Sequence, residues 1–157
     1  MLKKVLFVCL GNICRSPAAE AVFKQKIKAR HLEKLFVVDS AGTGGWHVGN
    51  LADPRMRETA LSRGIELTSR SRQIQENDLY EFDHILVMDK DNLHAVKSLI
   101  QDKHHLANSK IKLILSYYKD SQLDEVPDPY YGGQNGFEKV LDLLDNAIDE
   151  LINSLTD

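Results

Sequence analysis

The sequence predicts a three-layer α/β fold, a four-stranded parallel sheet with helices on both faces. Short apolar runs of strand length alternate with amphipathic stretches of helix length from one end of the chain to the other. The 157 residues suit a single domain, 1–157, with a sizeable core, and no internal repeat, low-complexity segment or linker divides them.

The first strand runs from Lys3 to Cys9 through the unbroken apolar segment Val5-Leu6-Phe7-Val8. A helix from Ser16 to Arg30 comes next, with Pro17 in its first turn, where a missing N–H does no harm. Leu35 to Ser40 is the second strand and Asp53 to Arg63 the second helix. Phe82 to Met88 is the third strand, Lys90 to Gln101 the third helix and Ile111 to Leu115 the fourth strand. A long final helix, Gly136 to Leu155, carries Phe137, Val140, Leu141, Leu144, Ile148, Leu151 and Ile152 at helical spacing, which marks them as core. Sheets of this kind bind ligands beyond the carboxyl ends of their strands, and the segment after Cys9 lies there. The stretch from Ser116 to Asn135 is long for a structureless connection in a compact domain, and such loops are often functional.

Between the first strand and the first helix stands Cys9-Leu10-Gly11-Asn12-Ile13-Cys14-Arg15-Ser16-Pro17. The chain must turn sharply here. Gly11 permits a positive φ, and Asn12 is the non-glycine residue that tolerates one best. The amides of Leu10, Gly11, Asn12, Ile13 and Cys14 can then point inward and, with the helix N-terminus, cradle a phosphate or sulfate. Arg15 closes the cradle with a bidentate fork. The same positive surroundings favour the thiolate of Cys9 over its thiol. Ser16 can donate a hydrogen bond to that sulfur, holding it as a nucleophile and stabilising it as a leaving group. A lone cysteine ending a strand would read as a small core hydrophobe, but here Cys, Gly, Asn, Arg and Ser all stand where an anion loop needs them.

Both cysteines lie in this loop, so neither a disulfide framework nor a metal set is expected, and no cofactor is called for. His104-His105 lacks further ligands at a recognised spacing and reads as a solvated turn. Met1-Leu2-Lys3-Lys4 has the charge of a signal peptide, but the apolar run that follows is broken within a few residues, and no stretch is long enough to span a membrane. A working thiol suits a reducing cytoplasm. The net charge of −3 argues against general nucleic-acid binding.

Three separated segments, Cys9 to Ser16, Asp39-Ser40-Ala41-Gly42-Thr43 and Asp128-Pro129-Tyr130, resemble the low-molecular-weight protein tyrosine phosphatases, in the family's order and over nearly the whole chain. The resemblance implies a flavodoxin-like, Rossmann-type arrangement and metal-independent hydrolysis of phosphotyrosine proteins or peptides through a phosphocysteine on Cys9. Inorganic phosphate and other oxyanions would occupy the same cradle. It also implies that Asp128 protonates the leaving phenolate and then deprotonates the hydrolytic water, assistance worth about 10²- to 10⁴-fold. Asp128 lies in Val126-Pro127-Asp128-Pro129-Tyr130-Tyr131-Gly132-Gly133, where prolines and glycines exclude a helix or a central strand and predict a loop with fixed corners. Its acidic neighbours Asp120, Asp124 and Glu125 are read as solvated. Trp46, Tyr130 and Tyr131 are the expected walls for an aryl ring, although Trp46, after Gly42-Thr43-Gly44-Gly45, also suits a lid over the core. In the family, residues at the positions of Asn12 and Ser40 form a hydrogen-bond network that holds the loop. Many members carry a histidine three residues before an Arg-Gln pair, where Ser69 precedes Arg72-Gln73 here.

Other readings compete. Phosphoarginine phosphatases resembling this family tend to carry Thr at the position of Ile13, whose apolar branch would crowd a guanidinium. Thiol-dependent arsenate reductases share the fold but need downstream cysteines, and none follows Cys14. A non-catalytic phosphate-binding module would have no use for Asp128. Peroxide is expected to convert Cys9 to a sulfenic acid that Cys14 traps as a disulfide, which requires Cα atoms roughly 4.4 to 6.8 Å apart. The plainer reading of Cys14 is a small packed residue.

Overall fold

Parallel pairing builds the sheet outward from β1, Lys3–Cys9. The computed structural model describes residues 2–100, 107–131 and 133–156. In it β1 is flanked by β2, Phe36–Gly42, and β3, His84–Val87, and β4, Ile111–Leu113, pairs with β3. The order β2-β1-β3-β4, all parallel, is the flavodoxin-like arrangement. After β1 the chain adds β2 on one side and β3 on the other, so a crevice opens at the carboxyl ends of β1 and β3. Cys9 stands opposite Gly42 and Val8 opposite Val87, which delivers the loop after Cys9 to that crevice.

Alternation along β1 sorts its side chains between two cores. Val5, Phe7 and Cys9 pack with α1 (Arg15–Ala29), α2 (Pro54–Leu61) and α5 (Gly133–Thr156). Leu6 and Val8 pack on the other face with Leu79 of α3 (Asp78–Glu81) and Val96 of α4 (Lys90–Lys97). Phe7, Phe23 and Phe36 form a tilted aromatic series, with centroids 5.8 and 5.2 Å apart. All seven residues of the expected α5 stripe are buried, joined by Ala147 and Leu155. Among the described residues no helix is long and apolar enough to cross a membrane.

Element ends move where burial and strand pairing part company. Phe82 and Met88 are buried, yet β3 pairs only from His84 to Val87. The fourth strand stops at Leu113 because Ile114–Tyr117 coils into a 3-10 turn, and α4 stops at Lys97 rather than reaching Gln101. The stretch expected to be structureless holds a second 3-10 turn at Pro129–Tyr131, and α5 begins at Gly133, ahead of Gly136. Fully buried Val126 donates its N–H to the Met88 carbonyl at 2.8 Å, tying this stretch to the end of β3. The short α3 and a 3-10 turn at Glu33–Leu35 have no counterpart among the expected elements. His104-His105 lies outside the described residues.

The end of β2 is pressed against the loop that follows β1. A Cβ on Gly42 would lie 2.8 Å from the Leu10 carbonyl oxygen and 3.0 Å from the Asn12 nitrogen, so the position admits no side chain without moving backbone. Gly42→Ala is expected to lower the unfolding free energy by about 1–3 kcal/mol, the range for overpacking a tight site. Urea unfolding followed by far-UV circular dichroism measures it, and an unchanged midpoint would mean that the loop yields freely.

Candidate active site

Five carbonyls of the turn between β1 and α1 are tethered from outside it. Thr43 N–H donates to the Cys9 oxygen at 2.9 Å, Gly44 N–H to Leu10 at 2.9 Å, the Ser71 hydroxyl to Gly11 at 2.9 Å, Asp53 N–H to Ile13 at 2.8 Å and Ala18 N–H to Cys14 at 3.2 Å. A trans peptide points its N–H opposite its C=O, so holding these oxygens outward turns the amides of Leu10, Gly11, Asn12, Cys14 and Arg15 the other way, toward the cavity the loop surrounds. Among the described residues, no amide from Leu10 to Ser16 donates a hydrogen bond within the chain. Cys14, at the N-cap of α1, makes no capping bond, so the positive end of the helix is open as well.

Asn12 takes the positive φ, at 56°. Gly11, which could have carried it, has no positive φ; its bare Cα instead makes room for His47, whose Cδ2 lies 3.0 Å from where a Cβ would stand. The Asn12 side chain is held on three sides. Its oxygen accepts from Arg72 N–H at 3.0 Å, and its nitrogen donates to the Ser16 hydroxyl at 2.7 Å and the Ser40 hydroxyl at 3.0 Å. Ser16 Oγ in turn lies 3.0 Å from Cys9 Sγ.

The cavity measures about 270 Å³. Buried Cys9, Cys14 and Arg15 form its floor with Leu10, Gly11 and Ile13, and Trp46, His47, Asp128 and Tyr130 surround its mouth. Asn12, Ser16 and Ser40 stand behind the floor and brace it. Trp46 is 71% exposed, which removes the core-lid reading; its ring covers Gly44 so closely that a Cβ there would sit 1.8 Å from it. The backbone of Tyr131 closes the turn at Pro129–Tyr131, and its side chain lies outside what the structure describes.

Arg15 is 3% exposed and donates from one nitrogen to Asp89 at 2.7 Å and to the Val126 carbonyl at 3.0 Å. Its other terminal nitrogen stands 3.9 Å from Asp128. Burial works against the guanidinium's charge, but the Cys9 sulfur and then the Asp89 and Asp128 carboxylates outweigh it and hold its pKa above the ordinary value. Asp128 accepts from Tyr130 N–H at 2.9 Å, a short-range turn that fixes the carboxylate at the mouth. The Tyr130 ring is covered by the Arg55 guanidinium at 5.2 Å, itself gripped by Asp53 at 3.1 and 2.9 Å. Burial, with the Asp53, Cys9 and Asp128 charges behind it, pushes the Cys14 thiol up to about 12.

Three residues of this constellation escaped the sequence reading. Asp89 follows β3 directly and also caps α4, accepting from Asn92 N–H at 2.7 Å; an Asp at a strand's carboxyl end before a helix was the available signal. His47 had none beyond its neighbour Trp46. Glu20, 4% exposed, lies one turn after Ser16 on α1 and accepts from the Ser40 hydroxyl and from Lys24, both at 2.6 Å; a lone charge in an apolar run marked it. Ser69 lines a second cavity, about 250 Å³, beside Glu20 and Lys24, so Glu20 stands at the outer end of the network. Asp124 and Glu125 are not merely solvated: they engage Lys90 at 3.0 and 2.7 Å. Among the described residues no three His, Cys, Asp or Glu side chains are grouped to hold a metal ion.

Known proteins share this architecture. The family described as low molecular weight phosphotyrosine protein phosphatase matches residues 4–157. A Synechocystis protein, provisionally named a low molecular weight protein-tyrosine-phosphatase, is 49% identical over 152 residues, 97% of this chain and 96% of its own length. A protein tyrosine phosphatase from Entamoeba histolytica, crystallised with Hepes in its active site, superposes with a TM-score of 0.92 at 44% identity over 98% of this chain and 96% of that one. A Drosophila arginine phosphatase superposes with a TM-score of 0.87 at 32% identity, covering 98% of each chain. A loop of this shape on this sheet, in a chain that similar end to end, belongs to the low molecular weight phosphotyrosine protein phosphatase family.

Proposed function

We propose that this chain hydrolyses phosphotyrosine in proteins or peptides, without a metal, through a phosphocysteine on Cys9. The observation that carries the reading is the ring of open amides from Leu10 to Ser16 beside the Cys9 sulfur. Such a ring fits the three equatorial oxygens of a phosphoryl group in transfer. Arg15 supplies the fork, already oriented by Asp89 and Val126, so little side-chain freedom is lost when phosphate arrives.

In the first step the Cys9 thiolate attacks phosphorus in line. The S–P bond forms, the P–O bond to the aryl group breaks, and Asp128 gives its proton to the departing oxygen. In the second step Asp128 takes a proton from water as that oxygen attacks phosphorus, the S–P bond breaks and inorganic phosphate leaves. Ser16, 3.0 Å from Sγ, donates to the sulfur as it departs. The cavity is small beside the roughly 300–1,000 Å³ of ordinary ligand pockets, so it takes one side chain and leaves the rest of the substrate protein on the rim. Trp46 and Tyr130 are the aryl walls.

The similarity to an arginine phosphatase favours a second reading, phosphoarginine hydrolysis on the same machinery. Against it, Ile13 is packed partly into the core and offers a guanidinium no hydrogen bond. Arsenate reduction lacks the relay cysteines, since Cys9 and Cys14 are the only two in the chain. We further propose that the two thiols, which share the cavity, form a redox pair. Peroxide oxidises Cys9 to sulfenic acid, and Cys14 condenses with it to a disulfide and water.

With EDTA present, phosphate release is expected from phosphotyrosine peptides and not from phosphoserine or phosphoarginine peptides. Preferential release from phosphoarginine would overturn the substrate assignment. Cys9→Ser is expected to bind phosphate without turnover, and Asp128→Asn to lose about 10²- to 10⁴-fold in kcat; residual turnover by Cys9→Ser would remove it as the nucleophile. Burial pushes the Cys14 thiol up to about 12, far from ionised at neutral pH. Iodoacetamide at neutral pH should therefore label Cys9 and spare Cys14, as peptide mass spectrometry would show. After peroxide, Cys14→Ser should recover less activity with thiol than the unaltered protein, and equal recovery would end the redox pairing.

A further inference from the structure

Behind the cradle a line of side chains runs from the Cys9 sulfur to the far side of α1. Ser16 Oγ is 3.0 Å from Sγ, Asn12 Nδ2 2.7 Å from Ser16, Ser40 Oγ 3.0 Å from Asn12, and Glu20 Oε1 2.6 Å from Ser40. All but one of the hydrogens in the line have a determinate direction. The Arg72 N–H can only donate, so at 3.0 Å it fixes the Asn12 oxygen toward itself and turns the Asn12 NH₂ to Ser16 and Ser40. Both hydroxyls therefore accept from Asn12. Each has one hydrogen left. That of Ser16 has two acceptors in reach, the Cys9 sulfur at 3.0 Å and the Ala41 carbonyl at 3.4 Å, and goes to the sulfur when Cys9 is a thiolate, which can only accept. That of Ser40 goes to Glu20, and a carboxylate can only accept.

We propose that Glu20 is a positioning residue for the nucleophile. By accepting from Ser40 it holds that hydroxyl as an acceptor for Asn12, which keeps Asn12 in its positive-φ turn and keeps the Ser16 hydrogen on the sulfur. The inference rests on the reading of Cys9 as nucleophile. Burial supports it: Glu20 is 4% exposed while the Lys24 side chain is 55% exposed, so the carboxylate sits inside, at a desolvation cost, where an ordinary i,i+4 pair would remain at the surface. Lys24 faces Glu20 from its own helix, and Lys28 and Glu66 line the cavity outside it; Arg15, Asp128 and His47 share the cavity with Cys9.

The test is the pH dependence of Cys9 inactivation by iodoacetate, with kcat and KM on p-nitrophenyl phosphate. Glu20→Met, which keeps bulk and removes the acceptor, is expected to slow inactivation about fivefold on the acidic side and leave the alkaline plateau unchanged, the signature of a thiolate that has lost a donor. It should lower kcat with KM little changed. Glu20→Gln keeps an accepting oxygen in place and should recover most of the loss. Ser40→Ala cuts the same line without touching the carboxylate and should move the profile in the same direction, which keeps the proposal testable if Glu20→Met does not fold. In the double variant, Glu20→Met should add nothing to Ser40→Ala. A Glu20→Met profile that superposes on the unaltered one, or full additivity, would overturn the role of Glu20 alone. If iodoacetate fails to inactivate the unaltered protein, Cys9 is not the nucleophile and the inference falls with that reading.

Discussion

The outward tethering of five loop carbonyls is the constraint on which the site depends. Each tether is an ordinary hydrogen bond, worth about 0.5–1.5 kcal/mol net. Together they decide which edge of each peptide faces the cavity, and with it the sign of the cavity's potential. The donors come from four places: the end of β2 (Thr43, Gly44), the segment before α2 (Asp53), the segment before α3 (Ser71) and α1 itself (Ala18). The loop is therefore a product of the sheet register and of Gly42, which lets β2 approach within van der Waals distance of its backbone. Its amides are aligned before any ligand arrives, so an anion meets dipoles that need no reorientation.

The same small volume treats its ionisable groups differently. Cys14 is pushed up to about 12 by burial and by the Asp53 charge, while Cys9 faces open amides and the Ser16 hydroxyl. Asp89 takes the direct contact with Arg15 at 2.7 Å, whereas Asp128 stands off at 3.9 Å. The division leaves Asp128 without a direct guanidinium bond at the mouth of the cavity, where the proposed mechanism needs its acid. Asp89 thereby orients the arginine without drawing on Asp128.

The parts of this design that are local were legible in the sequence, and the parts that depend on tertiary contact were not. The loop's composition, the α5 stripe and the parallel alternation all follow from neighbours a few residues away. Between Gly11 and Asn12, both suited to a positive φ, local chemistry cannot choose; the approach of His47 and the bond from Arg72 decide for Asn12. Phe82 and Met88 read as strand because they are apolar, yet they are buried outside it. The 3-10 turns at Ile114–Tyr117 and Pro129–Tyr131 are too short to leave a periodic trace. The network was half visible: Asn12 and Ser40 belong to recognisable segments, while Glu20 joins them only through the helical spacing that puts it one turn beyond Ser16.

Under the proposed function, selectivity divides between the floor and the mouth. The floor recognises a phosphoryl group and is indifferent to what carries it. The mouth is walled by Trp46 and Tyr130, 71% and 55% exposed; Trp46 packs on Gly44 and Tyr130 lies under Arg55, and the rest of each ring faces water. An aryl ring can cover both, at roughly 25 cal/mol for each Å² removed from water, while the single methylene of a phosphoserine covers almost nothing. Neither wall floats: Trp46 lies against Gly44, and Tyr130 is held under the Arg55–Asp53 pair. Fixed walls give an aryl ester its binding advantage without ordering anything on arrival, so discrimination against aliphatic phosphates needs no contact beyond those already in place.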